Sequence, residues 1–170
     1  MTGSNSTDRS KLGTKRHILT DAKGIPLSAV ISSASTHDIK RVTDVVDNTI
    51  IKRSLSSSSS TKRSLSGKRK LQHLCLDKAY NSKTAKQEII RRGYVPHLPY
   101  KRKRGEVKTE TQKMPNRKRH HARRWVVERT NSWHNRFRKL YTRYEKKAEN
   151  YFGLVQFSCC IIIYRKIVLG

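Results

Sequence analysis

A Ser-rich, basic stretch at residues 52–70 limits the part of this chain that can form a hydrophobic core. Its sequence is KRSLSSSSSTKRSLSGKRK, in which KRSLS occurs twice. So few apolar side chains cannot offset the entropy that is lost when a backbone becomes ordered. The whole chain of 170 residues is long enough for one domain with a core and short for two. We therefore predict a single domain over residues 1–170 with a disordered insertion at about 52–70.

Upstream of the insertion, the pattern predicts a β-hairpin followed by a helix. The runs 16–20 and 25–32 are separated by the turn-forming sequence DAKG. The apolar residues that follow recur at three- and four-residue steps, as on one face of a helix. Thr36 or Asp38 can cap this helix.

Downstream of the insertion, we predict a strand, a helix and a second strand. The run His73–Asp77 is apolar and ends in an acid, which is typical of a fully buried strand. Ser82 can cap a helix that ends at Gly93, because glycine suits the left-handed position after a helix. Residues 94–98 form the second strand.

The C-terminal third of the chain predicts a basic loop and two helices. The loop covers residues 101–120 and has no apolar periodicity. A break is expected near Asn150 and Gly153, with a second, more apolar helix over 154–168. The element order predicts an α/β fold with a mixed sheet. The first of the two helices carries an apolar stripe, made of Val126, Thr130, Trp133, Phe137, Leu140, Tyr141 and Tyr144.

Charge predicts the class of partner. The chain has 39 Lys and Arg against 12 Asp and Glu, a formal net charge of +27. A charge of this size favours nucleic acid over an anionic membrane or polyphosphate. The densest apolar run, 157–164, is too short to cross a bilayer. Cys75, Cys159 and Cys160 are too few for a disulfide framework or a zinc site, which predicts a reduced, cytoplasmic protein.

Two acidic residues are candidates for chemistry. Asp77 ends an apolar strand, where ligands of open α/β sheets gather, although it could equally form a strand-to-helix turn. Glu128 lies in WVVERT on the polar face of a helix, where it could equally be an exposed side chain paired with Arg124. Together the two carboxylates could hold Mg²⁺ or Mn²⁺ at one sheet edge. A pair of such ions clamps the attacking and leaving oxygens of phosphodiester cleavage.

Three segments resemble the DDE transposases of bacterial insertion sequences, in the insertion-sequence five family of the insertion-sequence four-like superfamily. They read GSNSTDRSKLGTKRHILTDAKGIPL, LCLDKAYNSKTAKQEIIRRGYVPHLP and ARRWVVERTNSWHNRFRKLYTRYEKKAENYFGLVQFSC. The resemblance implies a ribonuclease H-like catalytic domain, with a mixed sheet, flanking helices and further C-terminal helices. It also implies an Asp, Asp, Glu triad that binds two divalent metal ions, Mg²⁺ or Mn²⁺, and acts on transposon ends and target DNA.

The resemblance assigns roles to single residues. Asp77 matches the second Asp and Glu128 matches the final Glu, so both are implied to be catalytic and to bind metal. The superfamily signature around that Glu runs Tyr-x2-Arg-x3-Glu-x6-Lys. Arg124 matches its Arg, whereas His121 and Asn135 stand at the Tyr and Lys positions.

Basic residues near Glu128 are predicted to bind DNA. Arg136 could supply the phosphate-binding cation in place of the signature Lys. The loop before the helix can neutralise phosphates, so binding should weaken steeply with salt and read no base sequence. The predicted DNA-binding residues are Arg124, Arg136, Lys101, Arg102, Lys103, Arg104, Arg117, Lys118, Arg119 and Arg123.

The first Asp of the triad has no match in this chain. Family members carry it on a first strand upstream of the segment that looks like GSNSTDRSKLG, and Met1 stands near that point. Asp8 and Asp21 match non-catalytic positions. We therefore expect an N-terminally truncated, catalytically impaired copy, or the downstream half of a transposase whose partner is an upstream half or a full-length copy. A non-catalytic DNA-binding protein that occupies transposon ends is the alternative, ahead of an RNA-associated basic protein.

Overall fold

The structure is a computed structural model that describes residues 2–5, 9–50, 72–98 and 123–169. The predicted insertion and basic loop lie outside these residues. The chain divides into two compact units, Met1–Ile50 with Arg123–Gly170 and Ile51–Ala122. Both units contain strands and helices, which confirms the α/β class, while the single domain stays a prediction.

Five strands and five α-helices are described. In chain order they are β1 (Gly3–Ser4), β2 (Leu12–Thr20), β3 (Pro26–Ser33), a 3-10 turn (Asp38–Arg41), α1 (Val42–Asp47), β4 (Gln72–Cys75), a 3-10 turn (Lys78–Tyr80), α2 (Lys83–Arg91), β5 (Tyr94–His97), α3 (Arg124–Asn135), α4 (Arg138–Tyr141) and α5 (Ala148–Ile167).

The predicted hairpin is present as antiparallel β2 and β3, with β1 added beside the start of β2. Asp21 closes the turn, because its carboxylate accepts the backbone N–H groups of Lys23 and Ile25, both at 2.8 Å. Gly24 has φ +87, a conformation that glycine adopts at little cost. Asp21 is therefore a turn residue, as predicted.

The two faces of this hairpin pack against different helices. Side chains alternate across a strand, so Lys15 and Arg16 point to opposite faces. Lys15 reaches the 3-10 turn before α1, where it contacts Asp38 at 3.0 Å. On the other face, Ala29 and Ile31 of β3 pack against a buried cluster from α4 and α5, made of Leu140, Tyr151 and Val155.

The second unit is a β-α-β arrangement in which β4 and β5 are parallel. Ser82 caps α2 as predicted, because its hydroxyl accepts the Ala85 N–H at 3.0 Å. Gly93 after the helix has φ +77, again as predicted. The local sequence signals of this segment are thus confirmed.

The described strands form an antiparallel sheet of three strands in one unit and a parallel pair in the other, and one mixed sheet stays a prediction. The prediction that β4 is fully buried is wrong, because only Leu74 of its four residues is buried while His73 and Cys75 are exposed. Alternation of side chains explains this pattern, since one face of the strand is covered and the other is not.

The predicted helix break near Asn150 and Gly153 is also wrong, because α5 runs through both. A glycine in a helix costs about 1 kcal/mol relative to alanine, and burial of Tyr151 on the opposite face offsets that cost. The helical segments end instead at residues 136–137 and 142–147. None of the helices in the described ranges is long and apolar enough to cross a membrane.

The buried stripe of α3 is more polar than predicted. It consists of Val126, Thr130 and His134, one residue per turn. Tyr141 and Tyr144, which were predicted to continue the stripe, are 73% and 74% exposed, because the helix has ended before them. Polar residues inside a core need hydrogen-bond partners, and Thr130 and His134 both have them.

Candidate functional site

Asp77 lies just beyond the carboxyl end of β4, as predicted. The Leu76 N–H donates to the His97 carbonyl at 3.0 Å, so the parallel ladder continues to within one residue of Asp77. The Asp77 carbonyl then accepts the Tyr80 N–H at 3.1 Å and begins the turn into α2. The half-buried Asp77 therefore stands at a strand-to-helix switch, the position where open α/β sheets hold ligands.

A histidine pair lies across β4 and β5, close in sequence to Asp77. His73 Nδ1 and His97 Nε2 are 2.6 Å apart, and their ring centroids are 4.8 Å apart. In this hydrogen bond one ring donates an N–H and the other accepts it through its unprotonated nitrogen. No local sequence pattern signals this pair, because the register of two parallel strands brings the rings together.

Glu128 lies on the exposed face of α3, where it pairs with Arg124 one turn earlier. Arg124 Nε is 3.0 Å from Glu128 Oε1, and both side chains are 57% exposed. An exposed pair of this kind contributes at most about 1 kcal/mol to stability. A divalent cation can therefore compete with Arg124 for this carboxylate.

The hairpin turn holds α3 through the two residues that follow Glu128. Thr130 Oγ1 donates to the Gly24 carbonyl at 2.8 Å, and Arg129 Nη2 donates to the Lys23 carbonyl at 2.6 Å. A Cβ at Gly24 would lie 3.0 Å from Thr130 Oγ1, so this close approach requires glycine. The turn thus fixes the position of the helix that carries Glu128.

Arg129 is stacked between two tryptophans. Its guanidinium carbon lies 4.8 Å from the ring centroid of Trp125 and 5.0 Å from that of Trp133. Both distances suit a cation–π interaction, which is strongest with indole. Trp125 is exposed and Trp133 is half-buried, so the predicted core position of Trp133 is only partly attained.

His134 is a structural group in the core between α3 and α5. The Ser158 hydroxyl donates to the Val155 carbonyl at 2.7 Å, so it accepts the Nδ1–H of His134, also at 2.7 Å. The Cys159 thiol lies 3.8 Å from Nε2 of the same ring. Burial, with a smaller effect of Arg16, lowers the pKa of His134 to about 4, so the imidazole is neutral at pH 7.

The described DNA-binding candidates lie at the two ends of α3. Arg123 and Arg124 are exposed at its N-terminus, and Arg136 is exposed just after its C-terminus. Cations at a helix N-terminus are unfavourable because the helix dipole is positive there, so the dipole does not favour Arg123 or Arg124 at these positions. The remaining candidates lie outside the described residues, namely Lys101, Arg102, Lys103, Arg104, Arg117, Lys118 and Arg119.

The donor chemistry of Asp77 and Glu128 suits a divalent ion, because Mg²⁺ and Mn²⁺ take carboxylate oxygens. The two residues belong to different compact units. Within the described ranges, no group of three or more His, Cys, Asp or Glu side chains could hold a metal ion.

Comparison with known proteins decides the family. The profile of the family described as Transposase DDE domain matches residues 2–163, which include β4, Asp77, α3 and Glu128. The chain belongs to the DDE transposases of insertion sequences. The "Putative transposase for insertion sequence element IS402" of Burkholderia cepacia is 30% identical over 161 residues, which cover 95% of this chain and 67% of that protein. No solved structure matches this transposase.

The match confirms the family that the three sequence segments indicated. DDE transposases act on DNA and use divalent metal ions. A net charge of +27 fits a protein whose partner is DNA.

Proposed function

We propose that this transposase cleaves and joins DNA strands with a divalent ion held by Asp77 and Glu128 on a ribonuclease H-like core. The position of Asp77 at the carboxyl end of β4 is the observation that carries the proposal. The antiparallel β2–β3 hairpin and the parallel β4–β5 pair supply both strand orientations of a mixed sheet. Family membership supports the same reading.

The basic residues around Glu128 would bind the DNA backbone. A bound Mg²⁺ or Mn²⁺, two in the complete enzyme, would polarise the scissile phosphate and stabilise charge on its oxygens. When Glu128 binds the ion, Arg124 can pair with a DNA phosphate instead of the carboxylate. Arg136 and the basic residues at 101–119 would hold the flanking backbone of transposon ends and target.

Full activity is proposed to need a third carboxylate. Asp77 and Glu128 are two carboxylates, whereas the family resemblance implies three. Residues that act as a unit lose most of their effect when one is missing.

The test is nicking of a supercoiled plasmid that carries the transposon ends, with Mg²⁺ or with a chelator. We expect nicking in Mg²⁺ that is lost in Asp77→Ala and Glu128→Ala. Glu149→Ala is the control, because Glu149 is an exposed acid in the first turn of α5. Normal nicking after either active-site substitution would show that the roles are wrongly assigned.

A non-catalytic DNA-binding protein is the second candidate, supported by the net charge of +27. Such a protein would occupy transposon ends or compete with a full-length transposase. It predicts DNA binding that weakens with salt and survives Asp77→Ala, with no metal-dependent nicking by the wild type. The same plasmid assay, run beside a binding titration, separates the two candidates.

A further inference from the structure

Arg16 of β2 is a half-buried cation whose only described polar partner is neutral. Its Nη2 donates to Asn135 Oδ1 at 2.6 Å. The ion pairs found within the described ranges do not include Arg16. Its Nη1 is buried and has no acceptor there. Partial burial of a charge without an opposite charge is unfavourable, so the Arg16 guanidinium would be stabilised by an anion.

Lys15, the preceding residue, is a cation that an acidic side chain neutralises. Its Nζ donates to Asp38 Oδ1 at 3.0 Å and to the Thr36 carbonyl at 3.1 Å. Two adjacent cations therefore point to opposite faces of one strand, and an acid neutralises only Lys15. Arg16 instead points to the face of the sheet on which α3 lies.

Asn135 places the Arg16 guanidinium on the same face of α3 as Glu128. The two helix residues are seven positions apart, or two turns, which is about 10 Å along the axis. Asn135 is exposed, and Arg16 uses its amide oxygen. The amide NH₂ group is therefore the part left to bind a ligand, and it can only donate hydrogen bonds.

We propose that Arg16 and Asn135 bind one backbone phosphate of the DNA, two helical turns from Glu128. The proposal rests on the proposed function, because it assumes that DNA is the ligand. A phosphate oxygen would accept from the Asn135 amide and supply the negative charge that Arg16 lacks. Such a contact carries no base information but fixes the register of the strand relative to Glu128.

The test is the salt dependence of DNA binding, measured with the full chain and a fluorescent DNA duplex. The logarithm of the affinity falls linearly with the logarithm of the salt concentration, and each phosphate that a protein neutralises makes this slope steeper by about 0.9. We expect Arg16→Gln to reduce the slope by about that amount. Lys15→Gln is the matched control, because it removes the same charge one residue away, and its slope should stay at the wild-type value.

A second substitution separates a DNA contact from a structural role. Asn135→Asp places a carboxylate against Arg16, which should form an internal ion pair and keep or raise the melting temperature. Arg16 could instead only stabilise the fold, for example because its charge interacts favourably with the negative C-terminal end of the α3 dipole. In that case this variant should bind DNA with the wild-type salt slope. If the pair binds phosphate, the slope should fall as it does in Arg16→Gln.

The outcomes are distinguishable from failure of the proposed function. Wild-type DNA binding combined with equal slopes for Arg16→Gln and Lys15→Gln would overturn this phosphate site alone. Wild-type slopes in a folded Asn135→Asp would overturn it as well. No salt-dependent DNA binding by the wild type would overturn the proposed function and this site together.

Discussion

At the scale of single residues, His134 should make the fold sensitive to acid. Its pKa falls from 6.5 to about 4 on folding because burial disfavours the charged imidazole. Between these pH values the unfolded chain binds a proton that the folded chain does not. The free energy of unfolding should therefore have its full value above pH 6.5 and fall by about 3 kcal/mol as the pH drops to 4.

Urea denaturation over this pH range tests the prediction. His134→Gln should be less stable at neutral pH, and its stability should depend less steeply on pH than that of the wild type, with part of the dependence left because burial also lowers the pKa of His17. His37→Gln is the control, because His37 is exposed, and it should keep the wild-type profile. A profile for His134→Gln that is as steep as that of the wild type would show that another group controls the acid response.

The roles and contacts of single residues could be predicted from the sequence only in part. Asp21, Ser82 and Gly93 act within a few residues of their own position, so their roles as turn residue, cap and helix end were predictable. Arg16 and Asn135 are separated by 119 positions, and no local pattern signals their contact. His73 and His97 likewise meet only because two parallel strands are in register.

At the scale of elements, the contact between the hairpin turn and α3 should be sensitive to one methyl group. Gly24→Ala should lower the free energy of unfolding by about 1–3 kcal/mol, because of its positive φ and the Cβ contact with Thr130. Gly153→Ala should instead raise it by about 1 kcal/mol, since this helical position is open. Thermal denaturation measures both changes. Equal effects at the two glycines would contradict the close approach of turn and helix.

Hydrophobic periodicity predicted where elements exist better than where they end. The hairpin, α2 and β5 lie where turn and cap residues placed them. The break at Gly153 was predicted because glycine weakens helices, but tertiary burial of Tyr151 and Val155 outweighs that local cost. The exposed face of β4 was missed because four residues are too few to show alternation.

At the scale of the whole molecule, charge and family agree on DNA as the partner. The chain has 39 basic and 12 acidic residues, and this excess of positive charge predicted a polyanionic partner. The transposase match over residues 2–163 agrees with that prediction. Neither observation places Asp77 beside Glu128, which lies in the other compact unit. Convergence of these two acids on one ion is the central claim about function.

A Mn²⁺ titration of the full chain, followed by electron paramagnetic resonance, tests that claim most directly. If both carboxylates bind one ion, Asp77→Asn and Glu128→Gln should each weaken the same site, and the double variant should be little weaker than either. Glu149→Gln should bind as the wild type does. Wild-type Mn²⁺ affinity in either single variant, or fully additive losses in the double variant, would contradict a shared ion.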